Sequence, residues 1–194
     1  MAASSTRENI ITAADRLFYE HGYEYTSFAD VSELVGISRG NFYYHFKTKD
    51  EILEAVIERR IAERRELLDG WAAQSASPKE GIALFIRNLQ ANRQDILDCG
   101  CPVGTLFSEL SKLGHPSQIG ARQLFDVFRD WLRERFEEMG RGADADALAL
   151  HVLARSQGAS VIANAYPEGG FMDREVDDML AWLDTVAEGD EVAG

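Results

Sequence analysis

Residues 36–49 read Gly-Ile-Ser-Arg-Gly-Asn-Phe-Tyr-Tyr-His-Phe-Lys-Thr-Lys. Within about three helical turns' length of chain this stretch gathers the guanidinium of Arg39, the amide of Asn41, the phenols of Tyr43 and Tyr44, the imidazole of His45 and the ammonium groups of Lys47 and Lys49. Phe42 and Phe46, four residues apart, make the apolar side of the same short helix, so the polar groups share what remains of its surface. That mixture suits a nucleic-acid groove: Arg39 can donate twice to guanine O6 and N7, hydroxyls and ammoniums suit phosphates, and Gly40 removes a side chain where backbone would approach DNA closely.

Positioning such a helix requires others, and nearly every segment of the chain has helical spacing. There is no sustained period-2 alternation and no hairpin signal, so an all-α protein of about nine helices is expected. The first helix opens at Ser5 with Glu8 three residues on, carries Ile10, Ile11, Ala14, Leu17 and Phe18 on one face, and stops at His21-Gly22. Ser27 is an N-cap, Asp30 lies in the following first turn, and Phe28, Val31 and Leu34 mark a two-turn helix ended by Gly36. Ser38 then caps the Phe42/Phe46 helix. Two short helices joined by a tight Gly-containing turn are the sequence signature of a helix-turn-helix.

Thr48-Lys49-Asp50-Glu51 is a further capping box and launches a long helix with Ile52, Leu53, Val56, Ile57 and Ile61 inward. The charged run Glu58 to Glu66 reads as a solvated face laced with i, i+4 pairs. Pro78 restarts the chain into a helix through Ile82, Phe85, Ile86 and Leu89, and Cys99-Gly100-Cys101-Pro102-Val103-Gly104 breaks the pattern. Helices over about 104–113, Pro116–Met139, Ala143–Tyr166 and Met172–Ala187 complete the reading, with bounds good to about 2–4 residues. Residues 1–50 form the expected three-helix head and 51–194 the body, linked by the helix from about 48; the end from Gly189 reads as a frayed tail.

The chain has 194 residues, 45% hydrophobic and 10% aromatic, which places it in the globular class. Its formal net charge is −13, an apparent objection to nucleic-acid binding, but residues 1–50 carry only −2, from five Lys/Arg against seven Asp/Glu, and the remaining 144 residues carry −11. The acidity therefore lies mostly away from Arg39, Lys47 and Lys49, and it disfavours non-specific more than site-specific DNA binding. The N-terminus Met1 to Glu8 lacks an apolar signal core, and no run approaches the ~18 apolar residues of a membrane span. Cys99 and Cys101, one residue apart, are no disulfide framework; a reducing, cytoplasmic setting is expected. No metal site and no cofactor are expected.

Over about residues 6–60 the sequence resembles the TetR family of transcriptional regulators. The matching stretch runs from Gly22-Tyr23-Glu24-Tyr25-Thr26-Ser27-Phe28-Ala29-Asp30 through Val31-Ser32-Glu33-Leu34-Val35-Gly36-Ile37-Ser38 to Lys49-Asp50-Glu51-Ile52-Leu53. Its Phe-Tyr-Tyr-His-Phe-Lys-Thr-Lys run is especially close to the multidrug-sensing branch. The resemblance implies that Arg39 and Gly40 face bases, that Thr26, Ser38, Tyr43, Tyr44, His45 and Lys49 hold phosphates, and that Asn41 does either, with Lys47 a further contact. It also implies a body that binds an unidentified small-molecule inducer and forms a homodimer on a palindromic operator.

In the body, Val152, Ala159, Ile162, Val176, Met179, Leu180 and Leu183 on the last two helices are the expected dimer interface; ordinary core is the other reading of the same residues. Small residues Ala154, Ser156, Gly158 and Ser160 permit close helix approach. Phe85, Phe107, Phe125, Phe128 and Trp131 are candidate ligand-pocket residues, and Arg155, Gln157 and Asn164 are polar groups able to orient a ligand or bond across a dimer. Cys101 precedes a helix start, where the dipole lowers a thiol pKa, and similar Gly-Cys-hydrophobic-Val/Leu-Gly segments occur in TetR relatives that sense electrophiles. Pro102 departs from the commoner form, and a small buried apolar role is the plainer reading of Cys101. A catalytic Cys101 paired with His151 or His115 is the rival class, but no pattern orients such a pair or supplies an oxyanion hole, and no enzyme is expected. A protein-binding co-regulator without operator binding is the second alternative.

Overall fold

The computed structural model describes residues 5–167 and 170–189, so the first four residues of the N-terminal segment read for a signal and most of the expected frayed tail lie outside the described residues. The described residues are all-α, with ten helices: α1 (Thr6–His21), α2 (Phe28–Val35), α3 (Arg39–His45), α4 (Lys49–Gln74), α5 (Pro78–Ala91), α6 (Arg93–Cys99), α7 (Pro102–Lys112), α8 (Gln118–Glu138), α9 (Ala145–Ala165) and α10 (Phe171–Glu188). One more helix than expected arises because Asn92, half out of helical geometry at φ −104° and ψ 19°, separates α5 from α6. No described helix is long and apolar enough to cross a membrane.

The caps read from the sequence are formed. Ser5, Ser27 and Ser38 each accept the backbone N–H three residues on, as does Ser77, which the sequence did not mark as a cap, and Ser27 with Asp30 completes a reciprocal capping box. Thr48 does the same for Glu51, whose carboxylate reaches back to the N–H of Lys47 at 2.6 Å. Gly36 ends α2 at φ +72°, a left-handed conformation that a side chain would strain. Leu34 departs from its expected role: it is 48% exposed, and Val35 and Ile37 pack against the core instead.

The chain forms two compact units. The first holds the residues up to Glu63 together with Pro102–Leu124, so it is larger than the expected 1–50 head. The reason is apolar: Leu106 and Leu110 of α7 are buried in one core with Ile10, Phe18, Val31, Phe42, Phe46, Ile52, Leu53 and Val56. The second unit comprises Arg64–Cys101 and the chain from Phe125. Its core is built from Leu68, Ile82, Ile86, Leu132, Phe136, Ala149, Val152, Val176, Met179 and Leu183. Both α4 and α8 contribute residues to each unit.

The charged run at the middle of α4 is the expected solvated face at Glu58, Glu63, Arg65 and Glu66, but Arg59 and Arg60 turn inward. Arg60 is 4% exposed, and its Nε donates to Asp15 Oδ1 at 2.6 Å while Nη1 donates to the carbonyl of Pro102 at 2.8 Å. Arg59 Nη2 holds the other oxygen of Asp15 at 2.6 Å, and Nη1 donates to Thr12 Oγ1 at 2.7 Å. Guanidinium forks on one carboxylate thereby fasten α4 to α1 and to the start of α7.

Candidate nucleic-acid interface

Helix α3 sits on the first unit by Phe42 and Phe46, 1% and 3% exposed. Their four-residue spacing leaves Arg39, Gly40, Asn41, Tyr43 and Tyr44 exposed, the i, i+4 pairs Arg39/Tyr43 and Gly40/Tyr44 lying in adjacent rows. Tyr43 is steadied by its ring edge against Phe28, with centroids 5.5 Å apart, whereas Tyr44 projects 80% exposed with its ring edge-on to His45. Ser27, Phe28, Ala29 and Ser32 of α2 face Arg39, Phe42 and Tyr43 across a shallow hollow. A Cβ built on Gly40 would meet nothing within 4 Å. The chain itself therefore makes no use of that space, and a DNA backbone or base edge is free to occupy it.

Not every residue expected to touch DNA is presented. Thr26 is 3% exposed, and its hydroxyl donates inward to the carbonyls of Gly22 at 2.8 Å and Leu17 at 3.3 Å; it closes the α1–α2 loop rather than offering itself to phosphate. Lys49 is likewise turned onto that loop, with Nζ donating to the carbonyls of Tyr23 at 2.9 Å and Glu24 at 3.2 Å and lying 4.3 Å from the Tyr23 ring centroid. Ser38 uses its hydroxyl as the α3 cap. Lys47 is exposed and its ammonium binds the carbonyl of Tyr43, still on the α3 surface. His45 is half-buried.

The N-cap amide of α2 is already bound by an anion. Asp30 Oδ2 accepts from the N–H of Ser27 at 2.7 Å and from its hydroxyl at 2.8 Å, and these bonds, the backbone one foremost, hold its carboxyl below the usual range. A phosphate arriving there would meet a carboxylate. Two outward groups were not singled out from the sequence: Tyr25, 86% exposed just before α2, and Arg7, whose guanidinium lies 5.2 Å from the Phe46 ring centroid.

The loop itself is held from every side. Tyr23 Oη donates to Asp50 Oδ1 at 2.5 Å, with His115 Nε2 3.4 Å from the phenol and 3.5 Å from the carboxylate. Burial first, then the Asp50 hydrogen bond, pushes the Tyr23 phenol well above its ordinary range; the same bond is the main cause that holds Asp50 below its own. Asp50 therefore stabilises the fold above the ordinary carboxylate range, and this contribution disappears as pH falls through its lowered value. Asp50→Asn is expected to flatten the acid limb of thermal stability, modestly because the side chain is 59% exposed. Melting curves between about pH 7 and pH 3 test this, and an unaltered acid limb would refute it.

In the second unit the expected pocket aromatics are only partly brought together. Phe85 and Phe128 meet with centroids 5.4 Å apart, and Trp71, missed in the sequence reading, joins Phe85 and Trp131 at 6.4 Å from each. Phe107 instead packs on the core of the first unit, because α7 belongs there. Phe125 is half-buried. Trp131 is 7% exposed, and its indole N–H has no acceptor among the described residues. Gln157 Nε2 lies 3.4 Å from Cys101 Sγ, Arg155 pairs with Glu175 and Asn164 donates to the carbonyl of Leu97, so all three polar groups have partners within the chain. Neither cysteine is in a disulfide.

The expected dimer residues divide as well. Val152, Ala159, Val176, Met179 and Leu183 are at most 2% exposed inside the unit's own core and are corrected to core residues. Ile162, at 40%, faces outward, and Leu180 is half-buried. Helical periodicity does not separate the inward stripe of these two helices from the outward one, and for these five residues packing selects ordinary core, the other expectation.

A short recognition helix with an exposed polar face, set by a Gly turn against a second helix on a helical head, defines a helix-turn-helix DNA-binding regulator. The family description "Bacterial regulatory proteins, tetR family" matches residues 10–56. The Bacillus subtilis (strain 168) HTH-type transcriptional regulator LmrA is 30% identical, the alignment covering 89% of this chain and 87% of LmrA. An HTH-type transcriptional regulator in the lacX 3′ region of Lactococcus lactis subsp. lactis is 27% identical over 95% of this chain and 96% of its own. The crystal structure of a TetR transcriptional regulator from Legionella pneumophila superposes with a TM-score of 0.81 at 24% identity, covering 96% of this chain and 99% of that one. The chain belongs to the TetR family of DNA-binding transcriptional regulators.

Proposed function

We propose that the protein is a homodimeric, cytoplasmic repressor that reads a palindromic operator with two α3 helices and releases it when a small molecule occupies the second unit. The exposed Arg39–Gly40–Asn41–Tyr43–Tyr44 face carries the DNA half of this reading. Arg39 and Gly40 address base edges, Asn41 either bases or phosphates, and Tyr43, Tyr44 and Lys47 the phosphates. Ser38 and His45 contribute from the ends of α3. Lys49 and Thr26 act through the loop they close.

A second copy of the chain is the proposed occupant of the outward face of α9. Ala147, Leu150, Ala154, Gly158, Val161 and Ile162 recur there at helical spacing and are exposed, Val161 by 64%. Leu180 flanks this stripe in the proposal. His151, stacked on Trp182 at 4.4 Å, is held below its usual pKa by burial first and by Arg155 second, which suits a neutral ring on an apolar face. A two-fold pair would present half-sites about 34–36 Å apart. Val161→Glu is expected to convert a species of twice the chain mass into one of single mass in light scattering, with loss of binding to a two-half-site duplex. A variant still at twice the chain mass would rule this face out.

For the inducer, the support is the Trp71–Phe85–Phe128–Trp131 cluster with its unpaired indole donor, which suits a flat apolar molecule carrying a hydrogen-bond acceptor. Attack of the Cys101 thiolate on an electrophile is the covalent version of the same control. One experiment tests the whole: selection of bound genomic fragments, then a screen of small molecules and electrophiles for release of the tightest. A wild-type chain that enriches no fragment would overturn the operator reading and favour a protein-binding co-regulator.

A further inference from the structure

The loop before α2 is bonded from several elements, and one of its holders comes from far along the chain. Glu109 of α7 accepts the N–H of Tyr23 on Oε2 and the N–H of Glu24 on Oε1, both at 2.9 Å. Lys49 takes the carbonyls of the same two residues from α4. The backbone enters this clamp through Gly22 at φ +88°, where a Cβ would come within 3.0 Å of Glu109 Oε1. The other end of α7 is fastened too, by Arg60 on the Pro102 carbonyl. Directly beyond the clamped residues stand Tyr25, the Thr26 hydroxyl that closes the turn, and the capped start of α2 against which Tyr43 of α3 packs.

We propose that Glu109 is a positioning residue for operator reading: by holding two successive amides of the α1–α2 loop, it sets the place of α2 and hence of the α3 face. One part-buried N–H, that of Tyr23, and one exposed N–H, that of Glu24, are held by this carboxylate, and each oxygen serves one of them, so neither an amide nor a shorter acid can reproduce the pair. The inference rests on the operator-binding reading above and adds to it the element that keeps the reading head in register. It also makes α7, which follows Cys101 directly, the element whose displacement would loosen the head.

Charge and geometry predict opposite results, which makes the test decisive. Glu109→Gln removes a negative charge from the DNA-binding unit, so electrostatics alone tightens binding to any duplex. Positioning instead predicts about tenfold weaker binding to the tightest selected genomic fragment, with binding to a random duplex of equal length unchanged or stronger. Glu109→Asp keeps the charge and shortens the reach: positioning predicts a loss of operator affinity here too, and charge predicts none. Amide hydrogen exchange supplies a readout free of DNA, in which Tyr23 and Glu24 should exchange faster in both variants while Ile52 and Leu53 keep wild-type protection. The inference is overturned by either variant binding the selected fragment as tightly as wild type, by unchanged exchange at Tyr23 and Glu24, or by a parallel loss on both duplexes with loss of core protection, which would make Glu109 merely structural. Should Glu109→Gln fail to fold, Glu109→Asp decides alone. Absence of any fragment selected by wild type strikes the operator reading itself, whereas fragment binding that survives both substitutions strikes only the role of Glu109.

Discussion

Arg39→Ala is expected to weaken binding to the cognate duplex by about 1–3 kcal/mol and to relax the base preference at one position in each half-site, while binding to random duplex falls far less. The expectation follows from where the guanidinium stands. Arg39 is the first residue of α3, exposed, beside a Gly40 whose side-chain space the protein leaves open. A planar fork in that place can satisfy both acceptors of a guanine edge, and each such pair discriminates between bases. Removing it deletes no buried contact, so stability should stay within about 0.5 kcal/mol of wild type. Titrations of Arg39→Ala against single-base operator variants decide the matter. Equal losses on every variant would reduce Arg39 to a phosphate contact.

The largest expected effect on folding is at Asp15. Asp15→Ala should cost about 3–5 kcal/mol, because it leaves the guanidinium of Arg60 buried without its counter-charge. Arg60 is 4% exposed and keeps only the Pro102 carbonyl, while Arg59 keeps Thr12 and an exposed Glu63 at 3.4 Å. The pair is worth little in absolute terms if both partners are replaced by apolar residues of similar volume, so the double variant Asp15→Ala/Arg60→Met should recover part of the loss. Urea unfolding of the single and double variants measures both quantities. A single-variant loss under about 1 kcal/mol would show that solvent reaches Arg60 in solution.

Much of the architecture was legible because helices announce their own ends. Ser5, Ser27, Ser38 and Thr48 cap where their side chains predicted, and Gly22 and Gly36 stop helices at positive φ. The α3 face was legible for a related reason: with Phe42 and Phe46 committed inward, helical spacing leaves the remaining positions outward. What misled the reading of Thr26 and Lys49 is that a hydroxyl or ammonium has the same chemistry toward a phosphate as toward a backbone carbonyl, and only the folded loop shows that carbonyls had claimed both. Glu109 carries no local signal at all. It is one acid among many until α7 is packed against the α1–α2 loop, 85 residues away along the chain.

The body was legible as helices but not as surfaces. On α9 an apolar stripe runs along both sides, and periodicity alone cannot say which one meets the unit's own core; packing assigns Val152 and Ala159 inward and leaves Leu150 and Val161 outside. Arg59 and Arg60 looked like solvent residues because charge is usually exposed, and they are inward only because Asp15 is there to receive them. By itself, then, the sequence determined the helices, their caps, the helix-turn-helix and the family, since these rest on local spacing and on backbone hydrogen bonds within a few residues. The tertiary structure decided which polar groups are consumed in holding the head together and which stay available to DNA, because that choice depends on partners brought together only by burial of the two cores.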